Sequence, residues 1–204
     1  MKIFETVLNY IIPILAYLLG SISPAKMIAS SKKISLEDRG QNPGTAGVYR
    51  TFGIWAAVSV FFIDIIKGLI PVITAKLLDL SEWTVIASAL LAVAGHNWPV
   101  YHKFRGGGGL ATSLPLVAYL LPRELLIALP VAVIAGFVTR WIPFGGIVGL
   151  PLLIILALIY REPVHLVIFI LLLTIIMLTR RLGFLVVFLR KKMRIADSKI
   201  QEKS

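Results

Sequence analysis

The chain has 204 residues, of which 58% are hydrophobic and only 15% are charged, and its mean hydropathy is +0.89. These values lie well outside the range of soluble globular domains and predict an integral membrane protein. A formal net charge of +11 would suggest nucleic-acid binding in a soluble protein, but no nucleic-acid-binding motif accompanies it. The absence of cysteine excludes disulfides, thiolate catalysis and cysteine-ligated metals.

Seven apolar segments are predicted to be transmembrane helices, since about 20 mostly apolar residues are needed to cross a bilayer. The predicted fold is therefore all-α: one polytopic membrane domain over residues 1–182 with glycine-rich cytoplasmic loops. The fourth segment is short and is expected to be a tilted or partial span that continues from the glycine-rich segment before it. The predicted spans are Phe4–Ile22, Ile54–Leu78, Trp83–Val100, Leu110–Leu121, Leu125–Trp141, Ile142–Tyr160 and Val164–Thr179.

Basic residues are distributed unequally between the two ends of these spans. Sixteen lysines and arginines fall in the loops of one side or in the C-terminal tail, and four fall on the other side, namely Lys2, Lys76, Arg123 and Arg161. The positive-inside rule then predicts a multi-pass protein of the cell membrane with its N-terminus outside and its C-terminus in the cytoplasm. Residues 183–204 are predicted to be a basic tail in which Gly183–Arg194 forms an interfacial helix, the alternative being a solvated tail.

The loop between the first two predicted spans holds three glycines and an Asn-Pro turn between Arg39 and Arg50. It is too polar to span the membrane and too rich in glycine to be one continuous helix. Arg50 comes just before an apolar helix, where a guanidinium can bind a phosphate bidentately while its stem lies along apolar surface. The alternative is an arginine that only anchors the helix at the membrane surface.

The second predicted span contains two charged residues, Asp64 and Lys67, three positions apart. This spacing places them on one face of a helix, so we expect them to pair with each other or with neighbouring loops rather than to face lipid. Both a functional role and a structural role remain open for this pair. His96, at the cytoplasmic end of the third span, is expected to orient a loop carbonyl or a phosphate, or to be structural. No role is assigned to His165.

The segment from Gly95 to Thr112 carries four consecutive glycines beside a cluster of basic side chains. Glycines allow backbone N–H groups to approach an oxyanion closely, and His96, His102, Lys103 and Arg105 add positive or hydrogen-bonding character. The pattern predicts a phosphate-binding loop at a membrane surface, with a flexible interhelical turn as the alternative. Because the first loop lies on the same side, we expect the two loops to converge on one site.

These motifs occur in a characteristic order: Gly20-Ser21-Ile22 with Pro24, Gln41-Asn42-Pro43-Gly44 with Arg50, Asp64-x-x-Lys67-Gly68, Gly95-His96, Pro99-Val100, and Phe104, Gly106-Gly107, Gly109 and Ala111-Thr112. The order resembles the bacterial acyl-phosphate:glycerol-3-phosphate acyltransferases, a family of small seven-helix membrane enzymes. The resemblance implies transfer of a fatty acyl group from acyl-phosphate to the 1-hydroxyl of glycerol 3-phosphate, which gives lysophosphatidate for phospholipid biosynthesis. It also implies that the enzyme uses no metal or cofactor and that, besides its two substrates, its partner is the lipid bilayer.

The resemblance also implies a set of substrate-binding residues, although it assigns no catalytic residue. Arg50 would grip glycerol 3-phosphate, Asn42 and Gly44 would shape that loop, and the tetraglycine would hold the phosphate of the acyl donor. The implied set is Asn42, Gly44, Arg50, His96, Arg105, Gly106, Gly107, Gly108, Gly109 and Thr112.

The chain departs from the family pattern at several positions. Gly40 stands where the family has a serine, Gly108 replaces the second lysine of the glycine-rich motif, and the run Thr179 to Gly183 replaces the closing His-Arg-Glu-Asn-Ile. Three hypotheses follow. The first is an acyltransferase in which Lys103, Arg105 and Arg180 or Arg181 compensate. The second is an inactive relative that binds lipid or another protein, and the third is a small transporter.

Overall fold

The computed structural model of the protein describes residues 2–140 and 142–180. Throughout these residues every regular element is helical. The helices are α1 (Lys2–Gly20), α2 (Pro24–Ser31), α3 (Thr45–Phe52), α4 (Ile54–Leu77), α5 (Glu82–Asn97), α6 (Leu110–Leu120), α7 (Pro122–Val138), α8 (Ile142–Ile159) and α9 (Val164–Arg180), with a 3-10 turn at Val100–His102.

Seven of these helices, α1 and α4 to α9, correspond to the seven predicted spans. The ends agree to within a few residues, and the fourth span is short, as expected, at 11 residues. The fifth begins earlier than predicted because Pro122 occupies the first turn of α7, where its missing N–H costs nothing. The predicted tail, residues 183–204, lies outside the described residues, and so does its interfacial helix.

The outer faces of the long helices are apolar. Large side chains such as Ile14, Phe62, Leu126 and Phe137 are exposed, although these segments carry few charges. By length and composition, two described helical stretches are able to cross a membrane, Lys2–Ser31 and Ile54–Leu77, whereas Leu110–Leu120, Val148–Ile159 and Val164–Arg180 are apolar but shorter. Exposed apolar surface of this extent marks contact with a membrane or a partner.

Helices α1 and α5 cross where each carries a glycine. A Cβ on Gly20 would lie 3.0 Å from the Cα of Ala92, and one on Gly95 would lie 2.9 Å from the N of Ser21. Small residues let helix backbones approach closely in a membrane, where van der Waals packing replaces the hydrophobic effect as the driving force. This crossing holds the C-terminal end of α5, which carries His96 and Asn97, against the end of α1.

The short helices α2 and α3 pack against α4 and form a second, smaller core. Ala25, Leu36, Val48 and Val60 are buried together there. Helix α2 begins at Ser23, whose side chain caps it, followed by Pro24 in the first turn. The first loop is therefore folded and helical in part, which fixes where its glycines lie.

Candidate functional site

The glycine loop, residues 103–109, connects the 3-10 turn to α6. Two non-glycine residues in succession, Lys103 and Phe104, adopt left-handed φ angles of 52° and 58°, and Gly109 has a φ of 80°. Left-handed conformations of non-glycine residues are costly and cluster at functional sites. Helix α6 then starts directly after Gly109 without a side-chain cap. Among the described residues, the N–H groups of Gly108, Gly109 and Leu110 have no hydrogen-bond partner.

The loop lies tightly on the C-terminal end of α5. A Cβ on Gly106 would come within 2.8 Å of the Asn97 carbonyl oxygen, and a Cβ on Gly107 within 2.8 Å of Cε1 of His96. The N–H of Gly107 donates to the carbonyl oxygen of His96 at 3.1 Å. These two positions therefore require glycine because of close approach to α5.

Beneath the loop lies a buried cluster of charged side chains. Lys67 Nζ lies 2.9 Å from Asp64 Oδ1, and the two side chains are 4% and 1% exposed. The ammonium also donates to the Ile22 carbonyl oxygen at 2.6 Å. The expectation that Asp64 and Lys67 pair rather than face lipid is thus confirmed. The Lys67 ammonium also links α4 to the end of α1.

His96 completes this cluster. Its Nδ1 lies 3.3 Å from Asp64 Oδ1, and the opposite edge of the ring, with Nε2, faces the Cα of Gly107. A carboxylate on one ring nitrogen fixes the orientation of an imidazole and favours a proton on that nitrogen. Asp64 therefore sets the orientation of the ring that supports the glycine loop, a link the sequence analysis missed.

The first loop meets the glycine loop at Gly44. A Cβ on Gly44 would lie 3.9 Å from the Cα of Gly107 and 4.0 Å from the N of Gly108. The prediction that the two loops converge is therefore confirmed. Asn42 is partly buried in the turn just before Gly44, and Arg50 is exposed on α3, the helix that starts after Gly44, where its Nη1 donates to Gln41 Oε1 at 3.0 Å.

A rim of mixed charge surrounds these loops. Lys26 Nζ lies 2.7 Å from Glu37 Oε1, and Arg105 is exposed nearby. Partial burial acts to raise the pKa of Glu37, but the hydrogen bond and charge of Lys26, together with the charge of Arg105, lower it overall. Partial burial and the Lys26 charge likewise lower the pKa of His102. Glu37 is therefore ionised at neutral pH and offsets part of the positive charge.

Three polar side chains near the loops have buried atoms without a hydrogen-bond partner among the described residues: Thr45, Asn97 and Thr112. Thr112 belongs to the predicted site, whereas Thr45 and Asn97 do not. The amide of Asn97 lies 2.7 Å from the position that a Cβ on Gly109 would occupy. Buried polar groups are nearly always hydrogen-bonded, so this concentration around one loop indicates a polar ligand or ordered water.

Arg180, in α9, contacts the glycine loop. Its Nε donates to the Gly107 carbonyl oxygen at 2.9 Å, and its Nη2 donates to the Gly106 carbonyl oxygen. From the sequence, this arginine was expected only to be one of several basic residues that compensate for the missing family groups. The next basic residue, Arg181, lies outside the described residues.

An apolar cavity of about 820 Å³ opens between α6, α7, α8 and α9. Its wall includes Leu110 and Met177, and the sulfur of Met177 lies 2.9 Å from the Cβ position of Gly109. The cavity therefore begins where the glycine loop ends. From there it extends along α7 to Ala128 and Leu125.

The chain is a helical membrane protein with an apolar outer surface, two adjoining glycine loops and an apolar cavity that begins at their edge. Comparison with known proteins gives the family. A sequence profile described as glycerol-3-phosphate acyltransferase matches residues 10–189. The chain belongs to the glycerol-3-phosphate acyltransferase family.

Individual relatives agree with this assignment. The chain is 36% identical over 144 residues to a glycerol-3-phosphate acyltransferase of Halalkalibacterium halodurans, covering 69% of this chain and 70% of the relative. It is 37% identical over 158 residues to one of Thermoanaerobacter pseudethanolicus, covering 76% and 79%.

A solved structure shares the fold. The crystal structure of PlsY (YgiH), an integral membrane glycerol 3-phosphate acyltransferase, in its glycerol 3-phosphate form aligns with a TM-score of 0.78 at 28% identity, covering 90% of this chain and 92% of the other. The predicted family and the predicted integral membrane fold are thus confirmed. The chain is an acyltransferase of the membrane, and nothing in these similarities favours the inactive relative or the transporter.

Proposed function

We propose that the protein transfers a fatty acyl group from acyl-phosphate to the 1-hydroxyl of glycerol 3-phosphate, giving lysophosphatidate and inorganic phosphate. Acyl transfer to glycerol 3-phosphate rests on the family. The choice of acyl-phosphate as donor rests on the resemblance of the motifs to the acyl-phosphate-dependent family, and the roles of individual residues rest on the geometry of the two loops. The observation that supports it most directly is that the unpaired N–H of Gly108 lies beside Gly44, while the unpaired N–H groups of Gly109 and Leu110 lie where the apolar cavity begins.

The glycine loop supports binding of the donor phosphate. The start of α6 presents unpaired backbone N–H groups and the positive end of the helix dipole, and both attract an anion. Gly106 and Gly107 keep the loop on α5, and His96 supports it from beneath. Because Gly108 replaces the lysine of the family, these backbone donors carry a larger share of phosphate binding in this chain.

The first loop supports binding of glycerol 3-phosphate. Arg50 is exposed on α3 and is held by Gln41, so its remaining N–H groups are available to a phosphate. Asn42 and Gly44 shape the turn that carries the acceptor next to Gly108. Arg105 and Thr112 complete the proposed set at the rim and at the first turn of α6.

The reaction then needs little beyond positioning. The 1-hydroxyl oxygen of glycerol 3-phosphate attacks the carbonyl carbon of acyl-phosphate, the bond from that carbon to the phosphate oxygen breaks, and the hydroxyl proton leaves with the phosphate. Acyl-phosphate has a good leaving group, so holding the two substrates together and stabilising negative charge with backbone N–H groups is sufficient. The acyl chain lies in the cavity, away from the two phosphates.

The decisive experiment is an assay of the purified, detergent-solubilised protein with palmitoyl phosphate and labelled glycerol 3-phosphate. We expect labelled lysophosphatidate acylated at the 1-position, no product with palmitoyl-CoA, and a large loss in Arg50→Gln. Arg161→Gln is the matched control, because Arg161 is exposed at the opposite end of the bundle. Product from palmitoyl-CoA alone would overturn the donor assignment. Silence with both donors, accompanied by binding of lysophosphatidate, would favour the inactive relative.

We also propose that both loops lie in the cytoplasm, with the N-terminus outside and the C-terminus inside. The distribution of sixteen basic residues against four supports this orientation. It places the site on the side where a charged, water-soluble glycerol 3-phosphate is available. The membrane concerned is the cell membrane.

A further inference from the structure

We propose that Arg180 is a positioning residue that sets the direction of the phosphate-binding N–H of Gly108, rather than a cation that contacts the phosphate. This inference rests on the proposed function for its link to turnover. The loop geometry that supports the inference does not depend on any measured activity.

The glycine loop is held from two opposite sides. Helix α5 is on one side, where the His96 carbonyl oxygen accepts from Gly107 at 3.1 Å and the ring of His96 contacts Gly107. Arg180 is on the other side, where its planar guanidinium donates to the carbonyl oxygens of both Gly106 and Gly107. A planar fork that makes two bonds fixes the orientation of its partner as well as its distance.

The geometry of the peptide bond links this contact to the direction of the Gly108 N–H. The Gly107 carbonyl and the Gly108 N–H belong to one trans peptide unit and point in opposite directions. Because the Gly107 oxygen faces Arg180 at 2.9 Å, the Gly108 N–H points away from the guanidinium. That N–H has no partner among the described residues, and its nitrogen lies on the side of Gly44, where the first loop approaches.

The same rule applied to the preceding peptide provides an internal check. The Gly106 carbonyl also faces Arg180, and the N–H of the same unit, that of Gly107, donates to His96 on the opposite side. Two consecutive peptide units are thus turned the same way by one side chain. In a chain that has glycine in place of the family lysine at 108, the orientation of the backbone donors matters more for phosphate binding.

The position of Arg180 in the fold adds a coupling between sites. Helix α9 lines the apolar cavity through Leu173 and Met177 and contacts the glycine loop through Arg180. The element that contacts the proposed acyl chain therefore also orients the proposed phosphate donors. A lysine at 180 keeps the charge but has no fork, so it satisfies one carbonyl at a time.

The test compares Arg180→Ala and Arg180→Lys with Arg161→Ala, an exposed arginine at the other end of the bundle. The first readout, which needs no turnover, is backbone hydrogen exchange over residues 105–109 in detergent. Loss of two charge-assisted hydrogen bonds is expected to speed exchange of the Gly107 amide about tenfold or more in Arg180→Ala, with Arg180→Lys intermediate and Arg161→Ala unchanged.

The second readout is kinetic. Arg180→Ala is expected to raise the KM for palmitoyl phosphate about tenfold, and added guanidinium chloride at millimolar concentration should restore it in part, whereas tetramethylammonium chloride should not. Monodisperse elution of each variant shows that it is folded. If Arg180→Ala is not folded, Arg180→Lys is compared with the wild type in its place. Unchanged exchange of the Gly107 amide in folded Arg180→Ala, or in Arg180→Lys if it stands in, overturns the inference. Faster exchange with a silent wild type supports it and contradicts the proposed function instead.

Discussion

Gly107 and Gly108 are neighbours with opposite tolerance for a side chain. A Cβ on Gly107 would overlap the ring of His96, whereas a Cβ on Gly108 would have no atom within 4 Å. The φ of Gly108 also lies outside the left-handed region, so a side chain there adds no backbone strain. The family lysine could therefore be restored at 108 without disturbing the loop.

We expect Gly108→Lys to raise turnover or lower the KM for palmitoyl phosphate by about tenfold, because the glycine loop is proposed to hold the donor phosphate and a charge-assisted phosphate contact has this size. Gly108→Ala should stay within about twofold of the wild type, because it adds no charge and meets no neighbour. Gly107→Ala should lose about a hundredfold, since a shift of about 1 Å in a positioned group has such an effect. The measurement is the palmitoyl phosphate assay with folded yield as control. A lysine variant no better than the alanine variant would show that no substrate phosphate lies near position 108.

Asp64 and Lys67 give a second prediction at this scale. Asp64→Leu leaves a buried ammonium bound only to the Ile22 carbonyl oxygen, and breaking one partner of a buried pair costs about 3–5 kcal/mol. The double variant Asp64→Leu/Lys67→Met removes both charges and should recover much of the yield of folded protein. Glu82→Leu is the matched control, because its pair with Lys76 is largely exposed and should change stability by less than about 1 kcal/mol. Equal yields from the single and double variants would contradict mutual neutralisation.

The sequence predicted the Asp64–Lys67 pair and named His96 and Arg180 for the site, but it did not show that His96 contacts Asp64 or that Arg180 contacts the glycine loop. Asp64 and Lys67 share a helix, so their spacing alone placed them on one face. His96 and Arg180 belong to other helices, and hydropathy does not tell which face of α5 or α9 meets the glycine loop. Asn97 is a single polar residue at a helix end, and only its burial without a partner draws notice to it.

At the scale of elements, long and short helices differ in how well the sequence predicts them. Apolar runs identified α1 and α4 to α9, because such runs stand out in the sequence even where, as in the 11-residue α6, they are shorter than a full span. Helices α2 and α3 have eight residues each and were not predicted, since two turns give too little periodicity. Their packing on α4 nevertheless brings Gly44 to the glycine loop, so the missed elements position half of the site.

The cavity along α6 to α9 gives an element-scale prediction about chain length. Lipid tails are as apolar as the cavity wall, so preference among acyl chains depends on fit rather than on burial from water. Ala128 lines the cavity in the N-terminal half of α7, whereas Leu110 lines it next to the glycine loop. We expect Ala128→Leu to reduce kcat/KM for palmitoyl phosphate about tenfold while leaving lauroyl phosphate nearly unchanged, since overpacking a filled site costs about 1–3 kcal/mol.

Leu126→Phe is the control for this experiment, because Leu126 is 76% exposed on α7 and does not line the cavity. A competition assay with both donors in one vesicle preparation gives the ratio directly. Equal losses for the two chain lengths in Ala128→Leu would place the acyl chain elsewhere, for example along the outer surface of the bundle.

At the scale of the whole molecule, the orientation in the membrane decides which compartment supplies glycerol 3-phosphate. Because the chain has no cysteine, single cysteines report this without background. Asp38 is exposed in the first loop and Pro163 is exposed between α8 and α9, so both accept a cysteine without loss of packing. The excess of basic residues around the loops predicts that a membrane-impermeant maleimide labels Pro163→Cys in intact cells and labels Asp38→Cys only after permeabilisation. Ser204→Cys should behave like Asp38→Cys. Labelling of Asp38→Cys in intact cells would place both glycine loops outside, where the proposed acceptor is not supplied.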